Sequence, residues 1–215
     1  MSLEKGAKQL VSASREETKV EESSESEYLI LPTCFEQVKL LQRYRNSRSI
    51  QKLTLDIGHK VGKYLDSGET PATDVVGEIP VWMDIAGDTG KIRPAIEEMK
   101  KYIAHDKKSE LFLLYDSFLP RGTKDVLNDL KKPRSEGGFG WKVMEERLFH
   151  GCECDTVIYV GSGHLEAFTR ARLKLFIILF SENADNPWYQ TYQTALQSAA
   201  EENLIKRAAL PEGQV

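Results

Sequence analysis

Three apolar runs without polar alternation constrain this chain most: LFLL at 111–114, VIYV at 157–160 and LFIILF at 175–180. A strand wetted on one face alternates apolar with polar residues. Strands that do not alternate belong to a sheet covered on both faces, which is the habit of parallel sheets with helical crossovers. The segments between them have helical character. From Ile92 to His105, Ile92, Ile96, Met99 and Ile103 share one face and lysines another. TKDVLNDLKK predicts a short helix with Thr123 as N-cap. HLEAFTRARLK predicts a helix or helical turn, and good helix formers run through YQTALQSAAEENLIKRA at the end. IPVWMDI predicts a strand entered through Pro80, and YLILP at 28–32 another. Ser47 to Tyr64 has partly helical spacing, weakened by Gly58 and Gly62. GETPATDVVGE and RSEGGFG predict loops. The expected class is α/β: a parallel sheet with helices on both faces.

The ends read differently. Residues 1–27 are rich in Glu, Ser and Lys, contain no aromatic residue, and predict a disordered acidic tail or linker. An interaction tail, or one phosphorylated at Ser23, Ser24 and Ser26, is the functional alternative. Residues 28–207 are expected to form one domain and 208–215 a flexible C-terminus. The formal charge of -4 excludes a generally basic coat for nucleic acid but leaves room for a local basic groove. Cys34, Cys152 and Cys154 are too few for a disulfide framework and fit a reducing compartment. No apolar run approaches the roughly 18 residues of a membrane span. The expected location is intracellular, cytoplasmic or nuclear, without a membrane partner.

Three clusters carry chemistry. LLQRYRNSRSI at 40–50 sets Arg43, Arg45 and Arg48 around Tyr44 and Asn46. Arginine suits bidentate phosphate contacts, and an aromatic ring offers a stacking face. On composition alone a solvated helix start is the preferred account. FHGCECDTVIYVG at 149–161 sets Glu153 and Asp155 before a buried strand, where carboxylates can hold a ribose hydroxyl or orient water. Its C-x-C spacing has no second pair, so packing cysteines are expected rather than zinc ligands. HLEAFTRARLK places Arg170 and Arg172 before another buried strand. Arginine there can stabilise charge on a transferred phosphoryl group, or can simply complement a helix C-terminus. Gly161-Ser162-Gly163 follows a strand but lacks the G-x-x-x-x-G-K-[ST] spacing and its lysine, and predicts a tight connection. His59, His105, His150 and His164 show no paired metal spacing.

In their order these clusters resemble the second, C-terminal RecA-like domain of superfamily-one helicases and helicase-like NTPases. LLQRYRNSRSI resembles motif IV, with Arg45 at its arginine. GCECDTVIYV resembles motif V at Gly151, Glu153 and Asp155. AFTRARLKLFII resembles motif VI from Ala167 through Ile178. The chain departs from the family pattern in having Arg43 where Asn is usual, and in its short interval between motifs V and VI. It also has no Walker A lysine.

The resemblance implies a RecA-like sheet without its own Walker A motif. It implies ATP and Mg²⁺ as cofactors, held only together with a missing N-terminal RecA-like domain, the expected partner. Arg170 would face the γ-phosphate as the arginine finger, with Arg45 as the second catalytic arginine. Gly151, Glu153 and Arg172 would lie on the cofactor side. Tyr44, Arg43 and Thr169 would lie toward single-stranded DNA or RNA. Alone, the chain is expected to hydrolyse no ATP. The alternatives are a catalytically inactive RecA-like scaffold for protein or RNA, and an unrelated α/β module whose TRAR match is accidental.

Overall fold

A computed structural model describes residues 46–63, 75–103, 111–130, 141–149 and 152–210. All of these belong to one compact unit, Leu40–Val215. The 1–27 tail, the YLILP strand, the RSEGGFG loop, and Arg43, Tyr44, Arg45 and Gly151 lie outside the described residues.

Six strands make one sheet in the order β3-β2-β4-β5-β1-β6. They are β1 Val81–Asp84, β2 Leu111–Tyr115, β3 Trp141–Glu145, β4 Cys154–Gly161, β5 Ala171–Leu179 and β6 Lys206–Arg207. Every neighbouring pair is parallel. The helices are α1 Arg48–Lys60, α2 Ile92–Lys100, α3 Arg121–Asp129, α4 Leu165–Phe168 and α5 Pro187–Glu201.

The apolar runs are continuous because each strand feeds two cores. Leu114, Tyr159, Leu175, Ile177 and Leu179 pack with Ile50, Leu53 and Ile57 of α1 and with Leu196 of α5. Leu113, Ile158, Val160, Phe176 and Ile178 pack with Ile92, Ile96 and Met99 of α2 and with Leu127 of α3. Full burial of one such side chain stabilises by about 1.5–3 kcal/mol. The expected α/β class is therefore the observed one, and its six-stranded parallel sheet is consistent with a RecA-like domain.

Several boundaries differ from expectation. Pro120, not Thr123, is the N-cap of α3. Thr123 lies inside the helix and is buried. α2 ends at Lys100 and a turn carries Ile103 into the core. The helix expected through TRARLK closes after Phe168, and β5 begins at Ala171. Arg172 and Lys174 are strand residues, with Lys174 Nζ 2.7 Å from Glu78. The final helix stops at Glu201, because Asn203 turns at φ 60° and sends Lys206–Arg207 alongside β1.

Candidate functional site

The site is built around a short loop. β4 and β5 are adjacent and parallel, so the chain must return from the carboxyl end of β4 to the amino end of β5. It does so through Gly161-Ser162-Gly163, the four residues of α4, and the turn Thr169–Arg170.

The glycine connection is locked. A Cβ on Gly161 would lie 2.5 Å from the Asp116 Cβ, and one on Gly163 2.2 Å from the Tyr192 ring. Gly163 also has φ +113°, a region L side chains rarely adopt. Its N–H donates to Tyr159 Oη at 3.3 Å, and its carbonyl accepts from Trp188 Nε1 at 2.8 Å. Tyr192 Oη accepts the Leu165 N–H at 3.1 Å. The Gly163 and Leu165 amides are thus spent on aromatic side chains, which gives a tight connection in place of a phosphate loop. Burial first, and the nearby Asp116 charge second, raise the Tyr159 phenol well above its usual range. Burial pushes the Tyr192 phenol up to about 12.

At the other end of α4 the three sequence clusters meet. The Asn46 side-chain amide, from the LLQRYRNSRSI segment, donates to the Thr169 carbonyl at 2.7 Å and also to that of Ala171. The Ser47 N–H donates to the Arg172 carbonyl at 2.7 Å. From the GCECD segment, the Cys154 N–H donates to the Arg170 carbonyl at 3.2 Å. Asp155 Oδ1 lies 3.8 Å from Arg172 Nε. Asn46 and Ser47 are buried. Gly77 permits this approach, since a Cβ there would lie 2.0 Å from Ser47 Oγ. The backbone on both sides of Arg170 is therefore clamped.

The predicted side chains fare differently. Arg170 is half-buried, and among the described residues nothing pairs with its guanidinium. It lines a cavity of about 220 Å³ with Ser117, Phe118, Glu146, Arg147, His164 and Glu166. Arg172 is exposed on β5. Glu153 is half-buried just before β4. The Thr169 hydroxyl donates to the Glu166 carbonyl at 2.7 Å, closing α4. Arg43, Tyr44, Arg45 and Gly151 lie outside the described residues.

Asn46 was visible only as a member of the arginine cluster. The amide just before the Ser47 N-cap was its signal. The acids that end the strands were missed as well. Asp84 accepts from Tyr189 Oη at 2.6 Å and from Gln193 Nε2. Burial, then that bond, raises the Tyr189 phenol. Asp116, nearly buried, accepts from Ser162 Oγ at 2.8 Å and the Phe118 N–H at 2.9 Å. Burial opposes the charge on Glu145, yet hydrogen bonds from Lys124 and Arg147 outweigh it and lower its pKa. An acid directly after an apolar run, as in LFLLYD and VWMD, is the mark that Asp84 and Asp116 share.

Among the described residues, no group of three His, Cys, Asp or Glu side chains is placed to hold a metal ion. Nor is any helix there long and apolar enough to cross a membrane.

No known family profile matches the chain, and no curated protein does. Among solved structures, it is similar to the C-terminal domain of a possible DNA helicase from Lactobacillus plantarum WCFS1. The TM-score is 0.46 at 13% identity, over 76% of this chain and 98% of that one. A likeness at that level assigns neither family nor residue roles.

Proposed function

We propose that the chain is the C-terminal RecA-like half of a superfamily-one helicase-like ATPase, completing an ATP cleft with an N-terminal RecA-like domain. The reading is carried by one observation. Segments around residues 46–47, 154–155 and 169–172, far apart in sequence, converge on the backbone of Arg170.

Arg170 supplies a permanent cation on a clamped loop. A guanidinium without an internal partner suits a triphosphate, so this part of the site fits ATP. The chain has no lysine-bearing phosphate loop and, among the described residues, no acidic metal cluster, so the cradle and the Mg²⁺ ligands belong to the partner domain. ATP would supply the phosphoanhydride bond, and Mg²⁺ held by the partner domain would neutralise its charge. Arg170 donates to the γ-phosphate oxygens and stabilises the charge that develops on them. Holding the backbone at Asn46 and Cys154 fixes the base from which the side chain reaches. Arg45 acts as the second arginine. Gly151, Glu153 and Arg172 form the cofactor edge. Arg43, Tyr44 and Thr169 face single-stranded DNA or RNA. Such contacts bind in a salt-sensitive, sequence-tolerant way.

The test is ATP hydrolysis by a chain carrying both RecA-like domains, with and without single-stranded nucleic acid. Arg170→Ala is expected to lower the rate by about 10³ or more, the range of arginine fingers. A well-folded two-domain protein without hydrolysis would move the reading to an inactive scaffold. Hydrolysis indifferent to Arg170→Ala would remove the finger.

A further inference from the structure

The cavity beside Arg170 is bordered by buried polar atoms that the fold leaves unsatisfied. Glu146 is nine-tenths buried, and its Oε1 accepts the Ser117 hydroxyl at 2.9 Å. Its Oε2 is buried with no hydrogen-bond partner among the described residues. His164 lines the same cavity, and its Nδ1 is buried and unpartnered as well. Phe118 forms a third wall and is 91% exposed, so among the described residues its ring packs on almost nothing. Phe118, Glu146 and His164 stand just past the carboxyl ends of β2, β3 and β4, the usual ligand edge of a parallel sheet.

A buried polar atom without a partner is costly, and the chemistry of these two narrows what would satisfy them. An ionised carboxylate only accepts, so Oε2 calls for a donor. A neutral imidazole can carry its proton on Nδ1, so His164 can meet an acceptor. Arg147 and Arg170 are balanced along the wall by Glu146 and Glu166, so neither a free anion nor a free cation is favoured. A neutral planar group with an N–H beside an acceptor suits both atoms, and Phe118 offers it a stacking face. The volume of about 220 Å³ is below the roughly 300–1,000 Å³ of sites for drug-sized molecules. It admits one ring system and not a whole nucleotide.

We propose that this cavity takes one unstacked nucleobase of a single strand, a base whose amino group adjoins a ring acceptor, cytosine or adenine. The amino N–H donates to Glu146 Oε2, the ring nitrogen accepts from His164 Nδ1, and the ring stacks on Phe118. The Glu146 carboxylate turns about its terminal torsion, which is soft, to meet the amino group while Ser117 stays on Oε1. Arg170 takes no part in these contacts and stays with phosphate. The inference rests on the nucleic-acid part of the function proposed above. It adds one base-selective position to contacts that are otherwise sequence-tolerant.

The experiment compares oligo(dC) with oligo(dU) of equal length, binding to the full chain at low salt and read by fluorescence anisotropy. Uracil presents O4 where cytosine presents its amino group. Oligo(dC) should therefore bind about tenfold more tightly, the difference of one hydrogen bond to a charged acceptor. Glu146→Gln, whose amide can donate to O4, should bring the ratio near one, and Glu166→Gln should leave it. Phe118→Ala should weaken both oligomers alike, about tenfold, as loss of a stacking face does. Equal binding of the two oligomers by the wild-type chain overturns the proposal while the nucleic-acid reading stands, and it needs no variant to fold. A ratio that survives Glu146→Gln, or collapses in Glu166→Gln, overturns it too. If neither oligomer binds, the nucleic-acid reading fails and takes the proposal with it. Free cytidine that binds as tightly as oligo(dC), with the same preference over uridine, assigns the cavity to a free nucleoside and overturns the strand.

Discussion

The two edges of the sheet use polar residues in opposite ways. At the carboxyl edge, acids end the strands and are spent within the fold. Asp84 is held by Tyr189 and Gln193, Asp116 by Ser162 and the Phe118 amide, and Glu145 by Lys124 and Arg147. At the amino edge of β4 and β5, backbone groups do the holding, through Asn46, Ser47 and Cys154. Arg172 is left to solvent, and Arg170 lines a cavity whose other walls include Ser117, Glu146 and His164, just past the carboxyl ends of β2, β3 and β4. An edge whose side chains are committed builds architecture. An edge clamped through its backbone keeps side chains available for chemistry. Carboxyl ends of parallel strands are the usual ligand edge of open α/β sheets, and the cavity that Arg170 lines is walled by residues just past them, although its backbone is clamped at the amino edge.

Gly163→Ala should produce the largest loss of stability. The added Cβ meets the Tyr192 ring in a backbone region closed to L side chains. We expect about 3 kcal/mol or more, combining overpacking with strain, read as a lower denaturant midpoint. A loss under about 1 kcal/mol would mean that the connection can shift.

Asn46 tests the amino edge. Asn46→Ala strips partners from two carbonyls in a largely buried setting and should cost about 2–3 kcal/mol. Asn46→Asp should cost more, because a carboxylate accepts only and would face two carbonyl oxygens. If Asp is tolerated better than Ala, the clamp is not what holds Arg170. In a two-domain protein, Asn46→Ala should also lower the ATPase rate while leaving the Arg170 charge intact.

The order of legibility follows the same division. β2, β4 and most of β5 were readable because two-sided burial leaves apolar runs. β3, WKVME, alternates as a peripheral strand does, and was passed over. The start of β5 reads as helix in the sequence because Arg172 and Lys174 interrupt the run, although both lie at its less buried end. LIKRA reads as part of the last helix on propensity, but pairing with β1 makes Lys206–Arg207 a strand. Local propensity is a weak prior where a neighbouring strand offers hydrogen bonds. Of the candidate site, Arg170 and Arg172 were legible as charges before an apolar run. Asn46 was not, because its role is a contact across 123 and 125 residues of sequence.

A pH series separates the edges further. Tyr159 and Tyr192 line the connection at the carboxyl edge and have raised phenol pKa values, that of Tyr192 about 12. A phenol released by unfolding returns to its ordinary pKa of 10.0. The contribution of the pair is therefore complete below pH 10 and lost as pH rises above it. Stability should fall between about pH 10 and 12, and Tyr192→Phe should flatten part of that fall. Lys60 adds to it in the same direction. Burial disfavours its charge, but Asp56 and Glu202 outweigh that and raise its pKa. An alkaline limb unchanged in Tyr192→Phe would place the titration elsewhere.

Arg172 gives the smallest expected effect on stability and for that reason the sharpest view of the amino edge. Its side chain is 56% exposed and its ion pair with Asp155 is long, at 3.8 Å. Exposed pairs of this kind contribute about 0–1 kcal/mol, so Arg172→Ala should barely move the unfolding midpoint. Its backbone carbonyl still accepts from Ser47 in the variant, and the clamp survives. Any loss of nucleotide-dependent activity in a two-domain protein would then belong to the side chain itself. Activity equal to wild type would instead leave Arg172 as a solvated strand residue and confine the chemistry of this edge to Arg170. Reversal to Arg172→Glu tells the two apart most clearly: beside a triphosphate it should weaken ATP binding well beyond Arg172→Ala, whereas on a merely solvated strand both variants should behave alike.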